Sequence, residues 1–408
     1  MVILIGISVF INYIDRGNLS TAATLVKHEL RLSATQLGFL LTAFFITYMP
    51  MQPVVGWLVD KFTASRVLVS GFVLWSLATI LSGFAHGFVL LFACRLLLGV
   101  GESVSFPSMS RILCENVAEA QRGFANGIVQ SGLAFGPAFG IFFGGMLIAA
   151  WGWRPFFVGF GLISLLWVLG WMAISHRHVE HSDAVGAADA PPTALILREP
   201  SLWGASLAHF CSNFLLYFLL TWIPYYLVHE RHWSISQMAS IGGAAFLLMG
   251  AGMLACGGIG DRFIRAGLSP TFVRKATCCA GAVVAAISMI GVGYSGNDAS
   301  AIWLMFAGIG TGFLGVNTFV VAQTMAGPAA TGRWVGVQNT LANVAGIIAP
   351  ALTGILVDRT GSFHVPFAIA AALALGSGLS WTFLVGRIAR IDWSSRLAER
   401  SFGRFRSA

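Results

Sequence analysis

Apolar runs of about 20 residues, separated by short polar segments, repeat along almost the whole chain. A run of that length spans the hydrocarbon layer of a bilayer as one α-helix. The pattern predicts about twelve such helices, at residues 2–21, 35–59, 66–86, 88–113, 123–150, 154–175, 202–228, 235–260, 273–294, 300–325, 335–357 and 364–387. We therefore expect an all-α integral membrane protein with twelve transmembrane helices.

The composition supports a membrane protein and argues against a soluble enzyme. Hydrophobic residues make up 57% of the 408 residues and charged residues 10%, against about 25% charged residues in soluble domains. Mean hydropathy is +0.80, and no loop is long enough for a soluble domain. The first span lacks a basic start, so we expect no cleavable signal peptide, and its start next to Met1 leaves room for a short native leader.

The basic residues are distributed unequally between the two ends of the predicted helices. The rich end carries Lys61, Arg66, Arg111, Arg122, Arg177, Arg198, Arg262, Arg265, Arg274, Lys275, Arg333, Arg387, Arg390, Arg396, Arg400, Arg404 and Arg406. The poor end carries Lys27, Arg31, Arg154, Arg231 and Arg359. By the positive-inside rule, the rich end and both termini lie in the cytoplasm. Membrane topology thus explains the net charge of +8, and we expect no nucleic-acid partner.

The chain divides into two halves that carry the same loop motif. Gly-x-x-x-Asp-(Lys/Arg) ends both the second and the eighth predicted span. Its glycine permits close helix approach, its acid can cap or pair with a neighbouring helix end, and its base faces the lipid headgroups. We expect a gating role for the motif residues Gly56, Asp60, Lys61, Gly257, Asp261 and Arg262. The predicted organisation is a six-helix bundle at 1–176, a cytoplasmic connector at 177–200, a second six-helix bundle at 201–388 and a basic cytoplasmic tail at 389–408.

Four charged side chains lie inside apolar spans. Asp15 and Arg16 interrupt the first span, and Arg95 and Glu102 interrupt the fourth. A charge in hydrocarbon costs roughly 3 kcal/mol on insertion scales, so such residues mark ion or substrate paths by default. Arg95 and Glu102 are two helical turns apart, about 10 Å along the axis, so each needs a partner from another helix or from water. A static buried network that fixes helix packing is the alternative interpretation.

A buried acid that faces an arginine can act as a switch between a proton and an anion. The acid binds a proton when the guanidinium is engaged by an anionic substrate, and releases it when the guanidinium returns. Arginine stays charged throughout, and its planar fork can hold a carboxylate by two bonds. This chemistry would couple proton movement to the transport of an organic anion.

Two six-helix blocks, the repeated loop motif and the central connector resemble the major facilitator superfamily. Within it, the chain is similar to the anion:cation symporter family, which includes bacterial sugar-acid/proton symporters and animal organic-anion transporters. The matching motifs are Asn12-Tyr13-Ile14-Asp15-Arg16, Arg95-x6-Glu102, Gln130-Ser131-Gly132 with Gly136-Pro137, Tyr217-x3-Thr221-Trp222-x-Pro224-x-Tyr226-Leu227 and Asn339-x3-Asn343-x2-Gly346-x3-Pro350. The resemblance implies that Asp15 and Glu102 carry protons and that Arg16 binds the substrate carboxylate. We expect Arg95 to balance Glu102 and to help reset the empty carrier.

Polar side chains in both halves are candidates for contacting the hydroxyl groups of a sugar acid. Besides Arg16, the substrate-binding candidates are Tyr13, Tyr48, Gln130, Tyr217, Asn317, Thr318, Asn339 and Asn343. Asn339 and Asn343 share a helix face because they are four residues apart. The competing interpretation for each candidate is an interhelical hydrogen bond, which is common in membrane bundles. We expect His209 to be a packed or water-facing residue, because no acidic partner is near it in sequence.

The sequence favours a proton-coupled symporter that imports a small organic anion by alternating access. The preferred substrate is a sugar acid that resembles a hexonate, a hexuronate or glucarate. A proton-coupled exporter of drugs or cations is the alternative, which two intramembrane arginines disfavour by repulsion. A membrane sensor or an intramembrane enzyme is a third possibility, but no Walker A, Gly-x-Ser-x-Gly or His-Glu-x-x-His motif occurs.

We expect a lipid-embedded monomer, multi-pass in a bacterial inner membrane, without catalytic residues. We expect no cofactor besides the coupling protons and no metal site, because the cysteines lack metal-ligand spacing.

Overall fold

The computed structural model of the protein describes residues 1–178 and 191–397. In that part of the chain, twelve helices are long and apolar enough to cross a membrane, which confirms the predicted number. The α-helices are α1 (Val2–Glu29), α2 (Ala34–Lys61), α3 (Ala64–Gly83), α4 (Phe88–Glu102), α5 (Ser105–Asn116), α6 (Arg122–Phe139), α7 (Gly145–Trp151), α8 (Trp153–His178), α9 (Thr193–Ile196), α10 (Pro200–His229), α11 (Ile235–Arg265), α12 (Pro270–Tyr294), α13 (Asn297–Ala326), α14 (Thr331–Asn343), α15 (Ala345–Thr360) and α16 (His364–Leu379).

Three of the spans are interrupted, each close to a proline. The fourth span consists of α4 and α5, the fifth of α6, a π-helical turn at Gly140–Gly144 and α7, and the eleventh of α14 and α15. Pro107, Pro137 and Pro350 lie near the three interruptions. Proline cannot donate to the carbonyl four residues earlier, which weakens a helix locally. Proline alone does not decide the interruption, because Pro50 and Pro53 of α2 and Pro224 of α10 lie inside uninterrupted helices. The sequence pattern had predicted each of these spans as continuous.

The helices form two bundles, the first from α1–α8 and the second from α10–α16. In the first bundle α1 packs on α6, and α3 packs on α4 and α8; in the second, α12 packs on α13 and α16. Small residues allow this close packing: a Cβ atom on Gly71 of α3 would lie 2.7 Å from the carbonyl oxygen of Gly101 in α4. Between the bundles, α2 packs on α14 and α6 packs on α11.

The bundles meet at one end of the helices. We name this end the basic side and define it by Asp60, Arg111, Asp261, Arg274 and Arg333. At the other end, named the open side, Glu29 accepts hydrogen bonds from Trp153 and Arg154 of its own bundle. Likewise, Arg231 donates to the carbonyl of Val292 within the second bundle. At the basic side, Asp60 and Asp261 each accept hydrogen bonds from the opposite bundle, whereas Glu29 and Arg231 at the open side bond within their own bundles.

Part of the predicted connector at 177–200 and of the predicted tail at 389–408 falls outside the described residues. In the described part of the connector, the short helix α9 buries Leu195 and Ile196 and packs on α14. Arg333 also donates a hydrogen bond of 2.5 Å to the carbonyl of Pro191. This piece of the connector is thus attached to the second bundle at the basic side.

Candidate functional site

Arg16 lies near the middle of α1, with only 12% of its side chain exposed. Its guanidinium carbon is 4.6 Å from the ring centre of Tyr13, 4.9 Å from that of Phe44 and 4.6 Å from that of Tyr48. Aromatic faces attract a cation, which makes this cage favourable for a guanidinium. Nε donates to Oε2 of Glu102 at 2.9 Å, while the buried Nη1 and Nη2 atoms form no hydrogen bond. Arg16 therefore keeps both terminal nitrogens available for an anion.

Glu102, at the end of α4, is fully buried and pairs with Arg16 rather than with Arg95. Its other oxygen, Oε1, has no hydrogen-bond partner. Arg95 is also buried, its Nε has no partner, and its guanidinium lies 6.0 Å from the ring centre of Phe44. The two-turn separation along α4 predicted that Glu102 needs a partner from another helix or from water, and Arg16 of α1 is that partner. The balancing of Glu102 by Arg95 in the empty carrier stays a prediction.

Asp15 points away from Arg16, into the interior of the first bundle. Its Oδ1 accepts hydrogen bonds from Thr79 of α3 at 3.0 Å and from Asn18 at 3.2 Å, while Oδ2 has no partner. Adjacent residues of a helix diverge by about 100°. The two charges of α1 thus serve two different surroundings, one facing α3 and one facing α2 and α4.

A chain of hydrogen bonds connects the two bundles beside Arg16. The hydroxyl of Tyr217 donates to Oδ1 of Asn343 at 2.9 Å, and Nδ2 of Asn343 donates to Oδ1 of Asn339 at 3.1 Å. Nδ2 of Asn339 then donates to the hydroxyl of Tyr48 at 3.3 Å. Because the ring of Tyr48 also contacts Arg16, predicted residues from both halves meet at one place.

A small cavity, partly open to solvent, adjoins this cluster. Four of the predicted substrate-binding residues line it, namely Tyr13, Gln130, Asn339 and Asn343. Nε2 of Gln130 donates across the bundles to the carbonyl of Gly315 at 3.5 Å, and its Oε1 has no partner. The cavity thus lies between the bundles, where substrate sites of such two-bundle transporters form.

The sequence reasoning missed several polar residues of the cavity. His209, Ser212, Asn213 and Thr311 also line it. His209, Asn213 and Tyr217 follow one another at intervals of four on α10, so they share one helix face. That spacing, starting from the predicted Tyr217, was the available signal.

Asn317 and Thr318 do not line the cavity. Nδ2 of Asn317 donates to Thr277 at 2.8 Å, and its Oδ1 accepts from Arg274 at 3.5 Å, all within the second bundle. Thr318 donates to the carbonyl of Leu314 on its own helix at 3.3 Å. The structure therefore leaves these two predicted residues outside the cluster around Arg16. Among the described residues, no group of three or more histidine, cysteine or acidic side chains is placed to hold a metal ion.

Asp60 joins the two bundles at the basic side. Its carboxylate accepts hydrogen bonds from the backbone N–H groups of Gly332 and Arg333, at 2.9 and 3.0 Å, at the start of α14. It also accepts from Nε of Arg333 at 2.8 Å and from Nη1 of Arg111 at 3.3 Å. The first N–H groups of a helix lack partners within the helix and carry partial positive charge, so a carboxylate binds well there.

Asp261 repeats this arrangement with the bundles exchanged. It accepts hydrogen bonds from the N–H groups of Gly123 and Phe124, at 3.1 and 2.7 Å, at the start of α6. Nη2 of Arg274 donates to it at 2.5 Å. Each loop motif therefore caps a helix of the opposite bundle, and we call the two together the aspartate clamp, defined by Asp60 and Asp261.

The glycines of the two motifs lie where the backbones touch. A Cβ atom on Gly56 would lie 2.6 Å from the carbonyl oxygen of Gly332, and one on Gly257 would overlap the carbonyl oxygen of Gly123. The basic members of the motifs, in contrast, are exposed. Lys61 lies 4.6 Å from the ring centre of Trp57, and Arg262 lines a surface groove near Asp261.

Comparison with known proteins agrees with these features. The sequence model described as Major Facilitator Superfamily matches residues 5–350. The "Probable galactarate/D-glucarate transporter GarP" of Escherichia coli (strain K12) is 32% identical, over 96% of this chain and 95% of that protein. The "Hexuronate transporter" of Bacillus subtilis (strain 168) is 31% identical, over 91% of this chain and 90% of that protein. A crystal structure of the transporter FucP in the outward conformation superposes with a TM-score of 0.75 at 16% identity, covering 94% and 98% of the two chains. At that identity, the likeness to FucP concerns the fold alone.

Proposed function

Because the chain belongs to the major facilitator superfamily and is a multi-pass membrane transporter, we propose that it takes up a small organic anion together with protons. The two bundles would alternate access to the site between them. The preferred substrate is a sugar acid, the class that the names of both relatives indicate.

Arg16 is the observation that carries the proposal. A buried guanidinium with two unbonded terminal nitrogens pays a desolvation cost that a bound carboxylate would offset. The geometry of a guanidinium matches a carboxylate by two parallel hydrogen bonds. Tyr13, Tyr48, Asn339 and Asn343, which surround Arg16 or line the adjoining cavity, supply donors and acceptors for hydroxyl groups.

Coupling to protons follows from the contact between Arg16 and Glu102. A substrate carboxylate on Nη1 and Nη2 would place a second negative charge beside Glu102, which already accepts from Nε. A proton on Glu102 removes that repulsion, so substrate and proton each favour binding of the other. Asp15, with its free Oδ2, is the second proton carrier. Arg95 interacts electrostatically with both acids and compensates their charge in the empty carrier.

The sidedness is inferred from the distribution of basic residues. With the arginine-rich end in the cytoplasm, both termini lie there as well. The aspartate clamp then closes the cytoplasmic side, and the open side faces outward. In this conformation the site around Arg16 would receive substrate and protons from outside the cell. We place the protein in a bacterial inner membrane and propose that each monomer transports substrate alone.

The test is uptake of labelled organic acids into proteoliposomes, with and without an inward proton gradient. The panel contains D-gluconate, D-glucuronate and D-glucarate, with an amine and a neutral sugar as comparisons. We expect at least one acid to accumulate and its accumulation to collapse when a protonophore dissipates the gradient. Saturable movement of only the amine or the neutral sugar would contradict the proposal.

A further inference from the structure

The cavity beside Arg16 is polar without being charged. The described residues that line it include no aspartate, glutamate, lysine or arginine. Its polar groups are amides, hydroxyls and one imidazole, and its remaining walls include Phe106, Leu133, Met253 and Phe319. Tyr13 both contacts Arg16 and lines the cavity, so a ligand held by Arg16 lies next to a region able to satisfy hydroxyl groups but not a second ion.

His209 is the one imidazole of this cavity. It is 6% exposed, and its Nδ1 has no hydrogen-bond partner. Edge-to-face contact with Phe319, at 5.4 Å between ring centres, fixes the ring. His209 lies eight residues before Tyr217 on α10, about 12 Å along the helix axis, toward the basic side. Tyr217 belongs to the hydrogen-bond chain beside Arg16, so His209 lines the cavity on the basic side of that chain.

Gln130 leaves a second polar atom without a partner. Its Oε1 is buried and forms no hydrogen bond, although Nε2 is bonded across the bundles. A buried polar atom without a partner costs free energy until a ligand or water satisfies it. Together, His209 and Gln130 offer hydrogen-bonding atoms from both bundles to the part of a ligand distant from Arg16.

We infer that the cavity selects an acid with a single carboxylate and a neutral, hydroxylated body, and that His209 and Gln130 determine this specificity. The inference rests on the proposed function, since Arg16 must hold the carboxylate. A second carboxylate in the cavity would be stripped of water without a cation to compensate it, which is strongly unfavourable. An acid without hydroxyls would leave the polar atoms of His209 and Gln130 unsatisfied. The names of the two relatives cover both acids with two carboxylates and acids with one, so they leave this choice to the site itself.

Binding to the purified full-length protein tests the inference by isothermal titration calorimetry. The probes are D-gluconate and D-glucuronate (one carboxylate, hydroxylated), D-glucarate (a carboxylate at each end) and hexanoate (one carboxylate, no hydroxyls). We expect the better of the two hydroxylated monocarboxylates to bind at least about tenfold more tightly than D-glucarate or hexanoate.

Variants of His209 separate hydroxyl recognition from charge. His209→Ala should weaken binding of the hydroxylated monocarboxylate about tenfold and leave hexanoate unchanged, and His209→Gln should restore part of the loss. His209→Lys adds a cation and should raise the affinity for D-glucarate relative to the monocarboxylates. His86→Ala, at an exposed position on the open side, is the matched control and should change none of these affinities.

The outcomes distinguish this inference from the proposed function. D-glucarate binding as tightly as the monocarboxylates to the unmodified protein would overturn the inference and leave the proposed function standing. Equal losses for hexanoate and the hydroxylated acids in both His209→Ala and His209→Gln would also overturn it, since that pattern indicates a structural role. Binding of none of the four acids would overturn the proposed function and the inference together.

Discussion

Two regions of this molecule bury acids against arginines, and they differ in how completely the charges are satisfied. In the aspartate clamp, each carboxylate oxygen of Asp60 and Asp261 accepts at least one hydrogen bond. In the cluster around Arg16, atoms of all four charged residues have no partner: Asp15 Oδ2, the Arg16 Nη atoms, Arg95 Nε and Glu102 Oε1.

The difference indicates what each region does. A fully satisfied buried network is stable as it stands and fixes one arrangement of the two bundles. A partly satisfied network is unfavourable until a further partner arrives. Under the proposed function, the clamp holds a conformation, while the cluster around Arg16 binds an anion. The same residue types in the same pairing would then serve structure in one place and ligand binding in the other.

The largest effect is expected from removing the central cation of the unsatisfied cluster. Arg16→Ala should cost about 2–5 kcal/mol of substrate binding, a fall in affinity of at least about thirtyfold, because a desolvated charge pair is lost. Arg16→Lys should recover little, since lysine lacks the planar fork. Titration calorimetry with the tightest acid of the panel measures both. Arg359→Ala, exposed at the end of α15, is the control; unaltered binding in Arg16→Ala would place the anion site elsewhere.

Breaking the satisfied clamp should alter conformation more than binding. Asp60→Ala leaves Arg111 and Arg333 without their shared acid, which we expect to destabilise the closed basic side by about 3–5 kcal/mol. Spin labels at the exposed Arg66 and Leu268 should then report longer distances across the basic side. Asp358→Asn, an exposed acid of α15, is the control for a loss of negative charge. Distances unchanged by Asp60→Ala would show that the clamp does not hold the bundles together.

A methyl group added at Gly56, one turn before Asp60 of the clamp, should also destabilise the closed basic side, but by less than Asp60→Ala. In Gly56→Ala the new Cβ would lie 2.6 Å from the carbonyl oxygen of Gly332, and relieving such overpacking costs about 1–3 kcal/mol. Gly38→Ala lies on the same helix with nothing within 4 Å of its Cβ, and serves as the matched control. The melting temperature should fall in Gly56→Ala only. Equal melting temperatures in the two variants would argue against a tight contact at Gly56.

The smallest effect is expected at the partly exposed ion pair between Glu29 and Arg154, in which both carboxylate oxygens of Glu29 accept hydrogen bonds. Glu29 lies beyond the membrane span Val2–Ala23, and hydrogen bonds from Arg154 and Trp153 lower the pKa of its carboxyl group. A lowered pKa stabilises the fold above the pKa of an unfolded glutamate, and this contribution is lost as the pH falls through the folded value. Because Glu29 is 48% exposed, Glu29→Gln should cost less than about 1 kcal/mol at neutral pH.

Thermal unfolding between neutral pH and about pH 4 measures this contribution. The difference in melting temperature between Glu29→Gln and the unmodified protein should shrink as the pH falls. Glu119→Gln, at an exposed position that forms no ion pair with the described residues, is the control. A difference that grows toward acid pH would contradict the assigned sign.

Helix number and the two loop motifs were predictable because they depend on local patterns. Span length follows from apolar runs, and Asp60 and Asp261 follow from a repeated motif. The spacing along α4 predicted that Glu102 needs a partner from another helix or from water. That this partner is Arg16 of α1 was not predictable, since it depends on which helix packs against α4 and at what height.

The same limit explains the remaining differences at the site. Asn317 and Thr318 have suitable chemistry, yet their helix turns them toward Arg274 and Leu314 rather than the cavity. His209 had no acidic partner in sequence and so attracted little attention. Its position in the cavity depends on the rotation of α10 about its own axis. Helical periodicity predicts that position only after Tyr217, on the same helix face, is known to face the site. Prolines lie near the interruptions of three spans, but α2 and α10 contain proline and are not interrupted, so proline alone does not predict these interruptions.

The most direct measurement compares two transport modes of Glu102→Gln in proteoliposomes. Glutamine keeps a hydrogen-bonding side chain beside Arg16 but cannot carry the coupling proton. We expect the variant to exchange labelled for unlabelled substrate across the membrane at a rate similar to the unmodified protein, while losing accumulation driven by a proton gradient. Full gradient-driven accumulation by Glu102→Gln would contradict the conclusion that the unsatisfied cluster around Arg16 couples protons to the anion.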